Sequence, residues 1–175
     1  FILSYSSDIT ECIKLNFPKL QTEIIKIKYS IVSNEINKKV KKKNLITYMS
    51  RKLPVHSNHV VLLLKKHLPK NWTIKDLNNI DEKLVYHNLQ KSKIFLAFSN
   101  LEGLPLPPVE AALAGNYVVG YTGEGGKDYW KKPIFTEIYS GDIRNFVKKT
   151  LEQIRKYNFK SNTMRQQYNK LSKEF

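Results

Sequence analysis

The chain has 175 residues, with 30 Lys and Arg against 15 Asp and Glu, which gives a formal net charge of +15. This length is enough for one domain with a proper core, and the single cysteine, Cys12, excludes a disulfide within the chain. No apolar run approaches the roughly 18 residues of a membrane-spanning helix, whereas the positive charge leaves nucleic acid and an anionic membrane surface open as partners.

The first half of the chain alternates segments with strand and helix patterns. Residues 1–4 have the apolar character of a buried strand, and Ser7 with Asp8 offers a helix start before Pro18. The pattern then predicts an extended segment at 24–29, a strand at 44–52, a loop at 54–58, a helix at 59–68, a strand at 72–77 and a helix at 82–90.

The second half continues the alternation. A strand at 94–98 leads through a loop into a short helix, which Pro107 and Pro108 begin and Gly115 ends. Another strand is predicted at 117–121, an amphipathic helix at 143–157 behind Asp142, and a polar helix from Ser161. Strands that alternate with helices predict an α/β fold with a parallel sheet and right-handed crossovers.

The segment between the strands at 94–98 and 117–121 carries the strongest functional pattern. Glu102 and Glu110 bracket a stretch rich in glycine and proline that ends in a helix start. The first N–H groups of a helix suit a phosphate, and a carboxylate can accept hydrogen bonds from two adjacent sugar hydroxyls. Two simpler interpretations stay open, because Glu110 in a first turn also favours the helix dipole and Glu102 could be merely solvated.

The segment also has a counterpart in a known family. Glu102 and Glu110 enclose Gly103, Pro107 and Pro108, and Glu-Ala-Ala-Leu-Ala-Gly closes the stretch. This arrangement resembles the signature of retaining nucleotide-sugar glycosyltransferases of the GT-B architecture, in the large family 4 group. The resemblance implies that Glu102 contacts the donor sugar and that Glu110 holds the ribose hydroxyls. It also implies that the backbone between them receives the diphosphate, at Gly103, Leu104, Pro105 and Leu106.

Two further segments fit the resemblance. Arg51 and Lys52 are the last two residues of the strand predicted at 44–52. In the family, an arginine and a lysine near this point neutralise the departing diphosphate. Gly125 and Gly126 follow the strand at 117–121 and are expected to form a second wall of the donor pocket. A solvated strand end and a plain turn are the alternatives for these two segments.

The resemblance implies a Rossmann-like parallel sheet flanked by helices, the C-terminal half of a GT-B fold. We expect residues 1–43 to end a preceding domain and form a linker, 44–140 to bind the nucleotide sugar, and 141–175 to be C-terminal helices. The chain, which begins without Met, then looks like a fragment of a longer enzyme, inactive alone. The reaction expected is hexosyl-type transfer from a nucleoside-diphosphate sugar to an acceptor hydroxyl with retention, in glycan or polysaccharide biosynthesis.

The expected partners follow from the same resemblance and from the charge. They are a nucleotide-sugar donor, a glycan or lipid-linked acceptor and the preceding domain of the same chain, with no cofactor, no essential metal and no nucleic acid. We expect a cytoplasmic location, and peripheral contact with an anionic membrane at its inner face stays open. Two other functions remain as alternatives: a basic α/β module that binds nucleic acid, and a non-catalytic assembly domain.

Overall fold

The computed structural model describes residues 1–28, 30–31 and 40–157. Two parallel strands near the N-terminus precede a larger α/β unit, and a single 3-10 turn, Gly125–Asp128, follows its fourth strand. The elements are β1 (Ile2–Ser4), α1 (Ser7–Asn16), β2 (Ile24–Lys26), β3 (Leu45–Tyr48), α2 (Pro54–His67), β4 (Thr73–Asp76), α3 (Glu82–Lys91), β5 (Ile94–Glu102), α4 (Leu106–Leu113), β6 (Tyr117–Glu124), β7 (Phe135–Glu137) and α5 (Ile143–Tyr157).

The main sheet confirms the predicted fold class. Its five strands lie in the order β4-β3-β5-β6-β7 and every pair is parallel. The central strands β5 and β6 are buried on both faces, which explains why they appear in the sequence as continuous apolar runs. One hydrophobic cluster joins the sheet to α2 and α5, and a second cluster on the opposite face joins it to α3 and α4.

Several predicted boundaries were wrong. The strand expected at 44–52 ends at Tyr48, so Arg51 and Lys52 lie in the turn after β3. Helix α2 begins at Pro54, in the segment expected to be a loop, because a proline in the first helical turn lacks only an N–H that would be unpaired there. Strand β5 continues to Glu102 and β6 to Glu124, where the two residues lie opposite each other after an irregularity in register. Glu102 therefore ends a strand and does not lie in a loop. The helix predicted from Ser161 falls outside the described residues.

A buried hydrogen-bond network connects the C-terminal ends of α3 and α4. The Asn116 side-chain amide donates to the carbonyl oxygens of Leu89 at 2.8 Å and Ala111 at 2.7 Å, and its oxygen accepts from the Ser92 hydroxyl. The Lys42 ammonium donates to Leu89 and to Ala114, so it also bridges the ends of both helices. Burial lowers the pKa of Lys42 to about 7.

The β1–α1–β2 unit rests on the segments that follow β5 and β6. Asp128 accepts hydrogen bonds from the Ser7 backbone N–H at 2.9 Å and from the Lys26 ammonium at 3.2 Å. Gly103 lies directly beneath α1, because a Cβ atom there would come within 2.2 Å of the Ile9 side chain. The domain boundaries placed at residues 43 and 140 stay predictions. In the described parts of the chain, no helix is long and apolar enough to cross a bilayer.

Candidate functional site

A cleft of about 350 Å³ lies at the carboxyl ends of β3 and β5 and beside the start of α4. This is the edge at which open parallel sheets of this type bind ligands. Three segments supply its walls: the end of β3 with the turn after it, and, about 40 residues further along the chain, the length of β5 and the first turns of α4. The lining residues are Met49, Arg51, Lys52, Phe95, Leu96, Ala97, Phe98, Ser99, Glu102, Leu104, Leu106, Pro107, Pro108 and Glu110.

The first predicted carboxylate, Glu102, meets one of the predicted cations in this cleft. The Lys52 ammonium lies 2.8 Å from Glu102 Oε2, and the Glu102 side chain is 17% exposed. Arg51 is exposed and lines the same cleft. The arrangement places two cations beside one carboxylate, so the cleft can hold an anionic group next to a hydroxyl-bearing one.

The second predicted carboxylate, Glu110, is partly buried in the second turn of α4. The Tyr86 hydroxyl on α3 donates a hydrogen bond to Glu110 Oε1 at 3.0 Å. Burial raises the pKa of Glu110, the bond from Tyr86 lowers it, and the charge of Glu82 raises it further. Burial and the nearby Glu110 raise the pKa of Tyr86 to about 12, so the phenol keeps its proton and acts as a donor. The sequence analysis did not identify Tyr86.

The start of α4 offers fewer N–H donors than an ordinary helix start. Leu106 is the first residue of the helix, and Pro107 and Pro108, which follow it, have no N–H. Pro105 occupies the cap position and uses its carbonyl oxygen to accept from the Tyr129 hydroxyl at 2.5 Å. Of the four residues predicted to receive the diphosphate, Leu104 and Leu106 line the cleft and can offer a backbone N–H, whereas Gly103 and Pro105 do not line it.

The predicted glycines of the second wall lie behind the cleft. Gly125 and Gly126 are buried in the 3-10 turn and, among the described residues, neither lines the cleft. A Cβ atom on Gly125 would lie 1.9 Å from the Gly103 carbonyl oxygen, and one on Gly126 would lie 3.1 Å from Pro105 Cγ. The turn therefore supports the segment 103–105 from the side away from the cleft. Direct contact of Gly125 and Gly126 with a ligand stays a prediction. Their location behind the segment 103–105 does not favour such a contact.

Changing Tyr86 to Phe is expected to raise the pKa of Glu110. The substitution removes a hydrogen bond that stabilises the carboxylate, and it leaves the ring and its burial in place. The side-chain carboxyl carbon of Glu110 can be followed by NMR during a pH titration. Tyr139→Phe is the matched control, because Tyr139 is 81% exposed and lies outside the cleft. An unchanged titration midpoint in Tyr86→Phe would show that the two side chains are not paired in solution.

The described residues provide no obvious metal site. Within 1–28, 30–31 and 40–157, no three His, Cys, Asp or Glu side chains are grouped closely enough to hold an ion. The expectation that no essential metal is required stays a prediction.

The fold of the whole chain has a counterpart among solved structures. The crystal structure of the pneumococcal O-GlcNAc transferase GtfA in complex with UDP and GlcNAc matches 99% of this chain with a TM-score of 0.71. The fold is that of the Rossmann-like half of a GT-B glycosyltransferase. The two sequences are 14% identical, and this chain spans 41% of the length of that protein. A scan against protein-family models and a search of curated proteins gave no match.

Proposed function

We propose that this chain carries the donor site of a retaining glycosyltransferase of the family 4 type. The observation that carries the proposal is that Glu102, Glu110, Arg51 and Lys52, which are dispersed over 60 positions of the sequence, line one cleft. The cleft lies at the carboxyl edge of a sheet whose fold is shared with a transferase solved with UDP and GlcNAc. The sequence signature, the cleft and the fold together support a nucleoside-diphosphate sugar as the ligand.

In this proposal Glu110 receives the two ribose hydroxyls. A carboxylate accepts two hydrogen bonds from neighbouring hydroxyls at a lower entropic cost when its orientation is already fixed. Tyr86 provides that orientation, since its bond to Oε1 stops rotation of the carboxylate and leaves Oε2 for the ligand. Burial of Glu110 strengthens each hydrogen bond to it, because less water competes for the same oxygens.

The diphosphate is proposed to lie between the segment 103–106 and the cations Arg51 and Lys52. Lys52 is 2.8 Å from Glu102, so an incoming diphosphate competes with Glu102 for the ammonium. Release of Glu102 from that pair leaves its carboxylate free for the hydroxyls of the donor sugar. During transfer the acceptor oxygen replaces the diphosphate at the anomeric carbon with the same configuration, and the cations stabilise the charge that develops on the diphosphate.

The remaining expectations belong to the same proposal. The donor sugar is a hexose, the acceptor is a glycan or lipid-linked hydroxyl in polysaccharide biosynthesis, and the reaction takes place at the cytoplasmic side of a membrane. A further domain of the same protein supplies the acceptor side of the cleft, which agrees with the 41% of the neighbour's length that this chain spans. On this basis the chain alone binds the donor weakly and does not turn it over.

Ligand-observed NMR of this chain with UDP, GDP, dTDP, CDP and ADP tests the proposal. We expect one preferred diphosphate, with its signal lost in Glu110→Ala because the ribose hydroxyls lose their acceptor. Glu11→Ala is the control, since Glu11 is exposed on α1 and lies outside the cleft. Equal binding by Glu110→Ala and the parent, or binding of none of the diphosphates, would contradict a donor site here.

The same spectra test whether a metal ion is required. Arg51, Lys52 and the backbone N–H groups can supply the positive charge that a divalent ion supplies elsewhere, so spectra with EDTA and with Mg²⁺ are expected to agree. A binding signal that is present only with Mg²⁺ would reject this part of the proposal and keep the donor site itself.

A further inference from the structure

The two faces of the main sheet differ strongly in charge. Helices α2 and α5, which cover one face, contain seven Lys and Arg residues and a single carboxylate, Glu152. Helices α3 and α4, which cover the other face, contain two lysines against two glutamates, and Asp81 caps α3. Even with Asp142, which accepts a hydrogen bond from the Asn145 N–H at the start of α5, helices α2 and α5 therefore carry more net positive charge than α3 and α4.

The charges of α2 and α5 point away from the core. The two helices pack against each other and bury apolar residues such as Val60, Leu64 and Phe146. Their outer surface, here called the basic face, carries exposed cations and two exposed apolar side chains. It consists of Val55, Leu62, Lys65, Lys66, Arg144, Lys148, Arg155 and Lys156. The lone Glu152 forms an ion pair with Lys149 at 2.9 Å and also interacts with Lys148 and Lys156, so it offsets only part of the charge of the basic face.

We propose that the basic face binds the surface of an anionic lipid bilayer. Lys and Arg side chains close to such a surface are attracted by its negative charge, and their contributions add. Leu62 and Val55 are 58% and 62% exposed among these cations, an arrangement that suits the boundary between head groups and acyl chains. The charge complementarity and the exposed aliphatic residues together select a lipid surface as the occupant.

The same helices do not have the features of a surface that binds single-stranded nucleic acid. Single-stranded nucleic acids are held by stacking of bases on exposed aromatic rings, in addition to contacts with phosphate. Of the aromatic residues in α2 and α5, Phe146 is fully buried, and Tyr157 packs edge-on against Tyr117 and under the Lys93 ammonium. Neither helix therefore exposes a Tyr, Phe or Trp ring for a base.

The basic face and the cleft are separate surfaces. None of the residues that line the cleft belongs to the basic face, since the cleft is built from the end of β3, from β5 and from the start of α4. The bilayer can therefore be bound while the cleft is accessible. This inference does not depend on the donor-site proposal, and charge substitutions on α2 and α5 leave the cleft residues unchanged.

Cosedimentation of the 175-residue chain with vesicles tests the inference. We expect binding to vesicles of phosphatidylcholine with phosphatidylglycerol, weak binding to pure phosphatidylcholine, and a decrease as salt screens the charges. The quadruple variant Lys65→Glu, Lys66→Glu, Lys148→Glu and Arg155→Glu is expected to lower the partition coefficient by more than about tenfold. The control reverses four exposed lysines elsewhere, Lys14, Lys19, Lys28 and Lys83, and so has the same net charge.

Binding that is lost in the first variant and kept in the control supports the inference. Equal loss in both variants would show that net charge and not the basic face is responsible, and would overturn it. Absence of vesicle binding by the parent, or tighter binding of a single-stranded RNA oligonucleotide at the same salt, would also overturn it. If charge reversal unfolds the protein, Gln replaces the same four residues, and Gln also replaces the four lysines of the control. A lower vesicle affinity for the basic-face variant than for the control variant then supports the inference, and equal affinities overturn it.

Discussion

Gly125→Ala is expected to displace the segment that follows β5 and to abolish diphosphate binding. The added Cβ would lie 1.9 Å from the carbonyl oxygen and 2.4 Å from the carbonyl carbon of Gly103, and 2.7 Å from the Glu102 carbonyl oxygen. All three are backbone atoms, so no side chain can rotate to relieve the contact. We expect a loss of about 2–3 kcal/mol in the free energy of unfolding and a shift of the backbone that carries Glu102.

The neighbouring glycine is the matched control for this substitution. In Gly126→Ala the new Cβ would meet Pro105 Cγ at 3.1 Å and the Tyr129 hydroxyl at 3.3 Å, which are side-chain atoms that need to move by only a few tenths of an ångström. Urea unfolding and NMR titration with the preferred diphosphate compare the two variants. If Gly125→Ala is as stable as Gly126→Ala and binds the diphosphate equally well, the 3-10 turn does not support the segment 103–105.

Asn116→Ala is expected to destabilise the protein by about 3–5 kcal/mol, since several buried polar groups lose their partners together. The Leu89 and Ala111 carbonyl oxygens would lose a donor and the Ser92 hydroxyl would lose an acceptor, at a fully buried position. Because Asn116 connects the ends of α3 and α4, the substitution also loosens the pairing of Tyr86 with Glu110. The pKa of Glu110 in Asn116→Ala is then expected to rise toward its value in Tyr86→Phe.

A control for Asn116 is available at Asn44, which lies on the same edge of the sheet. Asn44 accepts one hydrogen bond from the Lys93 ammonium at 2.7 Å and is only partly buried. Asn44→Ala is expected to cost about 1 kcal/mol, as for a single partly exposed bond, and to leave the Glu110 titration unchanged. Similar free energies of unfolding for the two variants would mean that the network around Asn116 stabilises the protein no more than the single hydrogen bond of Asn44.

The strands and helices of the main sheet could be predicted because their patterns are local. Buried parallel strands such as β5 appear as unbroken apolar runs, and the prolines and Gly115 mark the two ends of α4. The ends of β5 and β6 were missed because Asn100 and Gly123 are typical loop residues. Their pairing arises only when the two strands lie side by side.

The candidate site was predictable only in part. Glu102 and Glu110 are marked by a local signature, whereas Tyr86 is 24 positions from Glu110 and becomes its partner through the packing of α3 on α4. Lys42 is another such residue, because its lysine-rich neighbourhood resembles a solvated surface and its contacts are with helix ends far away in sequence. Gly125 and Gly126 were recognised as important turn residues, but only their contacts show that they face away from the cleft.

The three prolines around the start of α4 have a consequence for the unfolded chain as well. Pro105, Pro107 and Pro108 each have a restricted φ angle before the protein folds, so this segment loses little backbone freedom when the native structure forms. The first turn of α4 then lies in its final shape before any ligand arrives, and little interaction energy is needed to order it on binding. The shape of the cleft wall formed by α4 is therefore set during folding. Any adjustment of the cleft to different ligands has to come from the side chains of the opposite wall, Arg51 and Lys52.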